Sequence, residues 1–218
     1  MKKCLSLALL LCLLALALPV VPAAAETPAF DHRPFTILPG YEYDRVERTW
    51  ECYTAHVVQY ADAHLVFGLS VRGNDESVTM PPVLYAWIHD ATNTEVLREI
   101  RQIDLTIDDT LFTFHRLLQD ESESYALLDS GDGRRVVEAF AAAKKVSVKL
   151  TLAAGATMDF SLTRQERLAF IKLAETILKT DVWAYVLDAK EQDIAYYDGF
   201  IPTASPVRIT DLTENGQE

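Results

Sequence analysis

Side chains with catalytic or ligating chemistry are thinly spread along this sequence. Five histidines, His32, His56, His64, His89 and His115, stand far apart with neither H-E-x-x-H nor C-x-x-C among them, so the spacing of a zinc site is missing. A hairpin would bring His56 toward His64. Ordinary surface histidines are the competing reading, and no metal or other cofactor is expected. Cys52 and His56 are four residues apart. In a helix they would form a thiolate and imidazole pair; in a strand they share a face but stand about 13 Å apart at ~3.3 Å per residue, beyond proton transfer. Asp108-Asp109 and Glu121-Ser122-Glu123 carry the groups of glycoside chemistry, yet they occupy turns, where solvated carboxylates are the default. Gly68-Leu69-Ser70-Val71-Arg72 lacks the last glycine of a nucleophile elbow, and no serine has a lysine three residues on. Neither phosphate-cradling glycine pattern occurs. Asp129-Ser130-Gly131-Asp132-Gly133 places glycine where a calcium loop needs oxygen ligands, and reads instead as a turn in which Asp132 caps the next helix. No catalytic residue follows from these patterns.

Aromatic residues are better placed. Tyr85, Trp87 and His89 alternate along one apolar run and share a strand face, which makes them the candidate ligand-binding residues; a second core layer is the alternative. Trp50, Trp183 and the tyrosines Tyr41, Tyr43, Tyr53, Tyr185, Tyr196 and Tyr197 could line a groove for a peptide or sugar, but core packing accounts for most of them.

The elements that must carry these residues are legible from periodicity. Pro28, Pro34, Pro39 and Gly40 break up the first part of residues 26–50, read as an irregular N-terminal arm. Leu65, Phe67, Leu69 and Val71 alternate as a half-buried strand, and 83–89 is a strand covered on both faces. Ile103, Leu105 and Ile107 pair as a hairpin with Phe112 and Phe114 beyond the Asp108-Asp109 turn. Val136, Val137 and Phe140 mark a helix at about 133–145. Val146, Val148, Leu150 and Leu152 form a hairpin with Met158, Phe160 and Leu162 across Ala153 to Ala156. Thr163-Arg164-Gln165-Glu166 matches a capping box opening a helix over 164–179, with Leu168, Phe170, Ile171, Ala174, Ile177 and Leu178 as its apolar stripe. Strands are expected at 183–187 and 194–197, and the tail 201–218 is expected to fray. The fold class is α+β: a single domain over 51–200 of mostly antiparallel strands, sandwich-like or an open sheet, with two helices.

Lys2 and Lys3, the apolar run Cys4 to Val21 and Ala23-Ala24-Ala25 before Glu26 have the form of a Sec-type signal peptide of the bacterial kind, cleaved between Ala25 and Glu26. The remaining 193 of 218 residues hold no second apolar stretch long enough to span a bilayer, so a secreted or periplasmic location is expected. Cys4 and Cys12 leave with the leader, and Cys52 alone can make no disulfide within the monomer. Loss of Lys2 and Lys3 from the 20 basic residues leaves 18 against 32 acidic ones, moving the formal charge from −12 to −14. Nucleic acid is excluded as a partner on that balance, with no basic run beyond Arg134-Arg135 and Lys144-Lys145. Two functions compete: a non-enzymatic binding module for a protein, peptide or envelope component, and an exported hydrolase whose His56, His89 or His115 meets a carboxylate only in three dimensions.

Overall fold

The computed structural model describes residues 29–60, 62–90, 93–97, 99–115, 117–119, 124–186 and 209–211; for 93–97, 118–119 and 209–211 it describes the backbone alone. The fold is α+β, with two antiparallel sheets rather than one open sheet. Among the described residues no helix is long and apolar enough to cross a membrane.

The first sheet is seven-stranded. It contains β1 (Tyr41–Asp44), β2 (Thr49–Gln59), β3 (Ala63–Asn74), β4 (Val83–Asp90), β5 (Asn93–Leu97), β8 (Leu118–Gln119) and β9 (Ser124–Leu127), in the order β1-β2-β3-β4-β9-β8 with β5 on β4. The second sheet runs β11 (Thr157–Ser161), β10 (Val146–Leu152), β6 (Ile100–Ile107), β7 (Thr110–His115) and β12 (Ile209–Asp211). Helix α1 (Asp132–Ala142) leads into β10, and helix α2 (Arg164–Thr180) follows β11.

Alternation does the positioning. In β10 the residues Val146, Val148, Leu150 and Leu152 are buried while Lys149 is exposed, and β6 buries Ile103, Leu105 and Ile107 in the same rhythm. These apolar faces, the inward residues of β3 and the stripes of both helices form one contiguous core. Phe170 of α2 stacks on Phe67 of β3 at 5.9 Å and on Phe140 of α1 at 5.3 Å, so one ring ties the first sheet to both helices. The capping box at the start of α2 forms as expected: Thr163 accepts from the Glu166 amide and Glu166 accepts from the Thr163 amide.

Several expectations are corrected. The arm 26–50 is not irregular throughout, because Arg33–Phe35 make a 3-10 turn and β1 pairs with β2; Phe30 and Phe35 stack on Trp50 and bury the segment against the sheet. Strand β3 is buried on both faces, since Val66 and Ser70 are covered as well as Leu65, Phe67 and Leu69. The turn before α1 is held by Asp129, whose carboxylate accepts from the Gly131 and Gly133 amides, and Asp132 is the first residue of the helix. Val182–Tyr185 form a 3-10 turn instead of a strand: Asp181 ends α2 in the left-handed region (φ 48°), and Trp183 then donates to the Leu128 carbonyl. Within the tail, Ile209–Asp211 pair with β7. The expected strand at 194–197 lies outside the described residues.

Helix α1 ends at Ala142, three residues short of expectation, for a reason carried by Asp108. That residue opens the β6–β7 turn in the left-handed region (φ 52°), and its Oδ1 accepts from the amides of Lys144 and Lys145 at 2.9 and 2.7 Å. The turn carboxylate is therefore a brace between two chain segments, and it captures amides that would otherwise continue toward the helix. Replacing Asp108 by Ala should lower stability by about 1–2 kcal/mol, from two amides losing an acceptor and an alanine held at positive φ. An unchanged urea midpoint would show that water satisfies those amides equally well.

Candidate functional site

Of the histidines singled out for chemistry, His56 is hydrogen-bonded to a carboxylate. His56 lies on the inner face of β2 and is buried; its Nδ1 donates to Glu166 Oε1 of α2 at 2.6 Å, and its ring stacks on Phe160 of β11 at 4.9 Å. Burial by itself would push the Glu166 carboxyl up, but hydrogen bonds from Thr163 and His56 outweigh it and hold the group below the usual carboxylate range. The pair has the orientation of a base held by its carboxylate. Its Nε2 is buried, with no hydrogen-bond partner among the described residues, and so has no hydroxyl or thiol to activate. Cys52 shares the inner face of the same strand, four pairs along the register from His56. Burial pushes its thiol up to about 12, which makes it a structural side chain rather than a nucleophile. His64 pairs with Gln59, so it faces the opposite side of the sheet from His56 and the two imidazoles do not meet. No group of three or more His, Cys, Asp or Glu among the described residues is arranged to hold a metal ion.

Tyr85, Trp87 and His89 do share one face of β4, the outer face of the first sheet. Tyr85 is packed into that sheet: it pairs with Gly68, and a Cβ added at Gly68 would come within 2.2 Å of its ring. This position accepts only glycine without moving the tyrosine. Trp87 and His89 are half-buried, with ring centroids 4.4 Å apart in an edge-on arrangement, and His64 is the cross-strand neighbour of His89. His115, at the end of β7, is exposed. Ala25, Glu26 and Glu121 to Glu123 lie outside the described residues.

A concavity lies on the outer face of the second sheet. It has a volume of about 550 Å³ and is lined by Asp104 and Thr106 of β6, Ser147 and Lys149 of β10, and Asp159 and Ser161 of β11, with Leu111 at its far side. Register explains the assembly, because Asp104 faces Lys149 across β6–β10 and Lys149 faces Asp159 across β10–β11. A row of alternating charge, acid, base, acid, thus crosses three strands. The next row is hydroxylic, with Thr106, Ser147 and Ser161 in register. Asp104 accepts from Thr113 Oγ1, its cross-strand neighbour on β7, and from Gln102 Nε2 on its own strand, each at 2.8 Å. This floor offers a cationic donor, anionic acceptors and hydroxyls, and among the described residues neither a histidine nor a cysteine lines it.

None of these lining residues is conspicuous in the sequence, where they are simply the outward halves of apolar alternations. The signal was present in the polar half of each pattern: Asp104 and Thr106 between isoleucines and leucine, Ser147 and Lys149 between valines and leucine. Only the register converts those halves into rows. The chain matches no protein-family model, no curated protein and no solved structure.

Proposed function

We propose that this protein is an exported, non-enzymatic binding module that holds a protein, peptide or cell-envelope component against the outer face of its second sheet. The observation that carries the reading is the open concavity of about 550 Å³, floored by the Asp104, Lys149 and Asp159 row and by hydroxyls. A surface of paired charges and hydroxyls suits orientation and specificity, and an open shape suits a macromolecular chain more than an enclosed small molecule. Export follows from the leader-like N-terminus and agrees with the acidic charge. The test is selection from a random displayed-peptide library on immobilised protein. Enrichment of binders whose affinity falls about tenfold in Lys149→Glu is expected, since one charge of the row is reversed. Failure to enrich any sequence, or binding indifferent to Lys149, would refute this reading.

The hydrolase alternative draws on one observation, the 2.6 Å bond between His56 and Glu166. It requires turnover of chromogenic ester, amide or glycoside substrates that disappears in His56→Ala. Turnover by the protein that survives this substitution would remove His56 from any mechanism.

A further inference from the structure

The concavity ends at a strand edge, and that edge has a sign. Strand β11 closes the second sheet on one side with no further strand paired to it among the described residues. The bonds Leu162 N to Val146 O, 3.0 Å, and Leu152 N to Ala156 O, 2.9 Å, identify which β10–β11 pairs exchange hydrogen bonds. Antiparallel alternation then turns the N–H and C=O groups of Thr157, Asp159 and Ser161 away from β10. The side chains of these same three residues are exposed, and two of them line the concavity. One outward acceptor is touched from the side, as the Tyr60 hydroxyl reaches the Asp159 carbonyl at 3.4 Å, the long limit of a hydrogen bond.

Resting on the binding-module reading, we infer that β11 accepts an extended peptide as an added antiparallel strand, and that the peptide places a lysine or arginine opposite Asp159. The charge row dictates the residue: Asp104, Lys149 and Asp159 alternate in sign, so the next position outward is matched by a base. The hydroxylic row ending at Ser161 asks only for a small or polar neighbour. A strand from a second copy of this chain, docked about Asp159, would set two carboxylates opposite each other and add to an existing formal charge of −12. Backbone pairing would supply the affinity, and the Asp159 contact the choice of sequence.

Proline at position 159 is the sharpest probe. The Asp159 N–H points outward and takes no part in the β10 ladder, so Asp159→Pro removes a docking donor without removing a fold hydrogen bond. The probes are two capped peptides of alternating threonine and valine, one with a central lysine and one with a central glutamate. Fluorescence anisotropy on the full chain should show the lysine peptide binding about tenfold more tightly, a favourable cross-strand pair gained and a like-charge pair avoided. Asp159→Lys should reverse that preference, and Asp159→Pro should lose both peptides at an unchanged Tm. In isotope-labelled protein the amides of Thr157, Asp159 and Ser161 should shift on binding. If the lysine peptide binds Asp159→Pro as well as it binds the original chain but changes affinity in Lys149→Glu, it lies across the sheet face: strand addition is then wrong while the binding module stands. Binding of neither peptide, no charge preference, or a sedimenting dimer dissolved by Asp159→Pro would each overturn the inferred partner.

Discussion

Phe170→Ala should cost this protein about 3–5 kcal/mol of folding stability, the range for deleting a fully buried aromatic ring. The ring is wholly buried and sits where three elements converge, against Phe67 of β3 and Phe140 of α1. Its removal leaves a cavity that neither the sheet nor the helices can close alone, because each is held by its own hydrogen-bonded backbone. Urea denaturation followed by both tryptophan fluorescence and circular dichroism would measure the change from the shift in midpoint at constant slope. Phe170→Leu should recover most of the loss, since it refills much of the volume. A loss under about 1 kcal/mol on truncation to alanine would mean that the ring packs on a surface rather than in the core.

Glu166→Ala should be the next most damaging change, at about 2–4 kcal/mol, because one carboxylate serves two otherwise orphaned donors. One is the Thr163 amide at the start of α2, bonded at 2.7 Å; the other is His56 Nδ1, buried beneath Phe160 and bonded at 2.6 Å. The second donor belongs to a buried ring, so its loss carries the larger part of the penalty. The same group leaves a signature in acid. Its folded-state pKa is held below the ordinary value of 4.5, by hydrogen bonds that overcome the upward push of burial. Its contribution is therefore complete above 4.5 and is lost as pH falls through the lower folded value. Denaturation midpoints taken from neutral pH down to about pH 3 should fall less steeply in Glu166→Gln than in the original chain, because the amide does not titrate. Parallel acid profiles in the two proteins would show that the carboxylate has no special stability in the fold.

The His56 and Glu166 contact also shows why pair chemistry could be anticipated in kind but not in place. The two residues are 110 positions apart. His56 faces inward because β2 alternates, and Glu166 faces His56 because the capping box folds its side chain back over the first turn of α2. Each orientation is local; their meeting depends on α2 packing across β2, which no short-range pattern specifies. The same division applies to Asp108, whose turn position is visible in the sequence and whose grip on Lys144 and Lys145 is not.

What the sequence by itself determined was local: the alternation of β6, β7, β10 and β11, the capped helix at 164, the stripe of α1, the shared face of Tyr85, Trp87 and His89, and the α+β class that these elements add up to. Such features arise from contacts a few residues apart, where side-chain period and capping leave one answer. Tertiary structure decided the rest. It sorted the strands into two sheets, turned 182–185 into a 3-10 turn tied by Trp183 to Leu128, folded part of the N-terminal arm onto Trp50, and aligned Asp104, Lys149 and Asp159 into one charged row. These depend on which strand pairs with which and in what register, and that choice is made by burying one shared core across long sequence separations rather than by any residue's own preference.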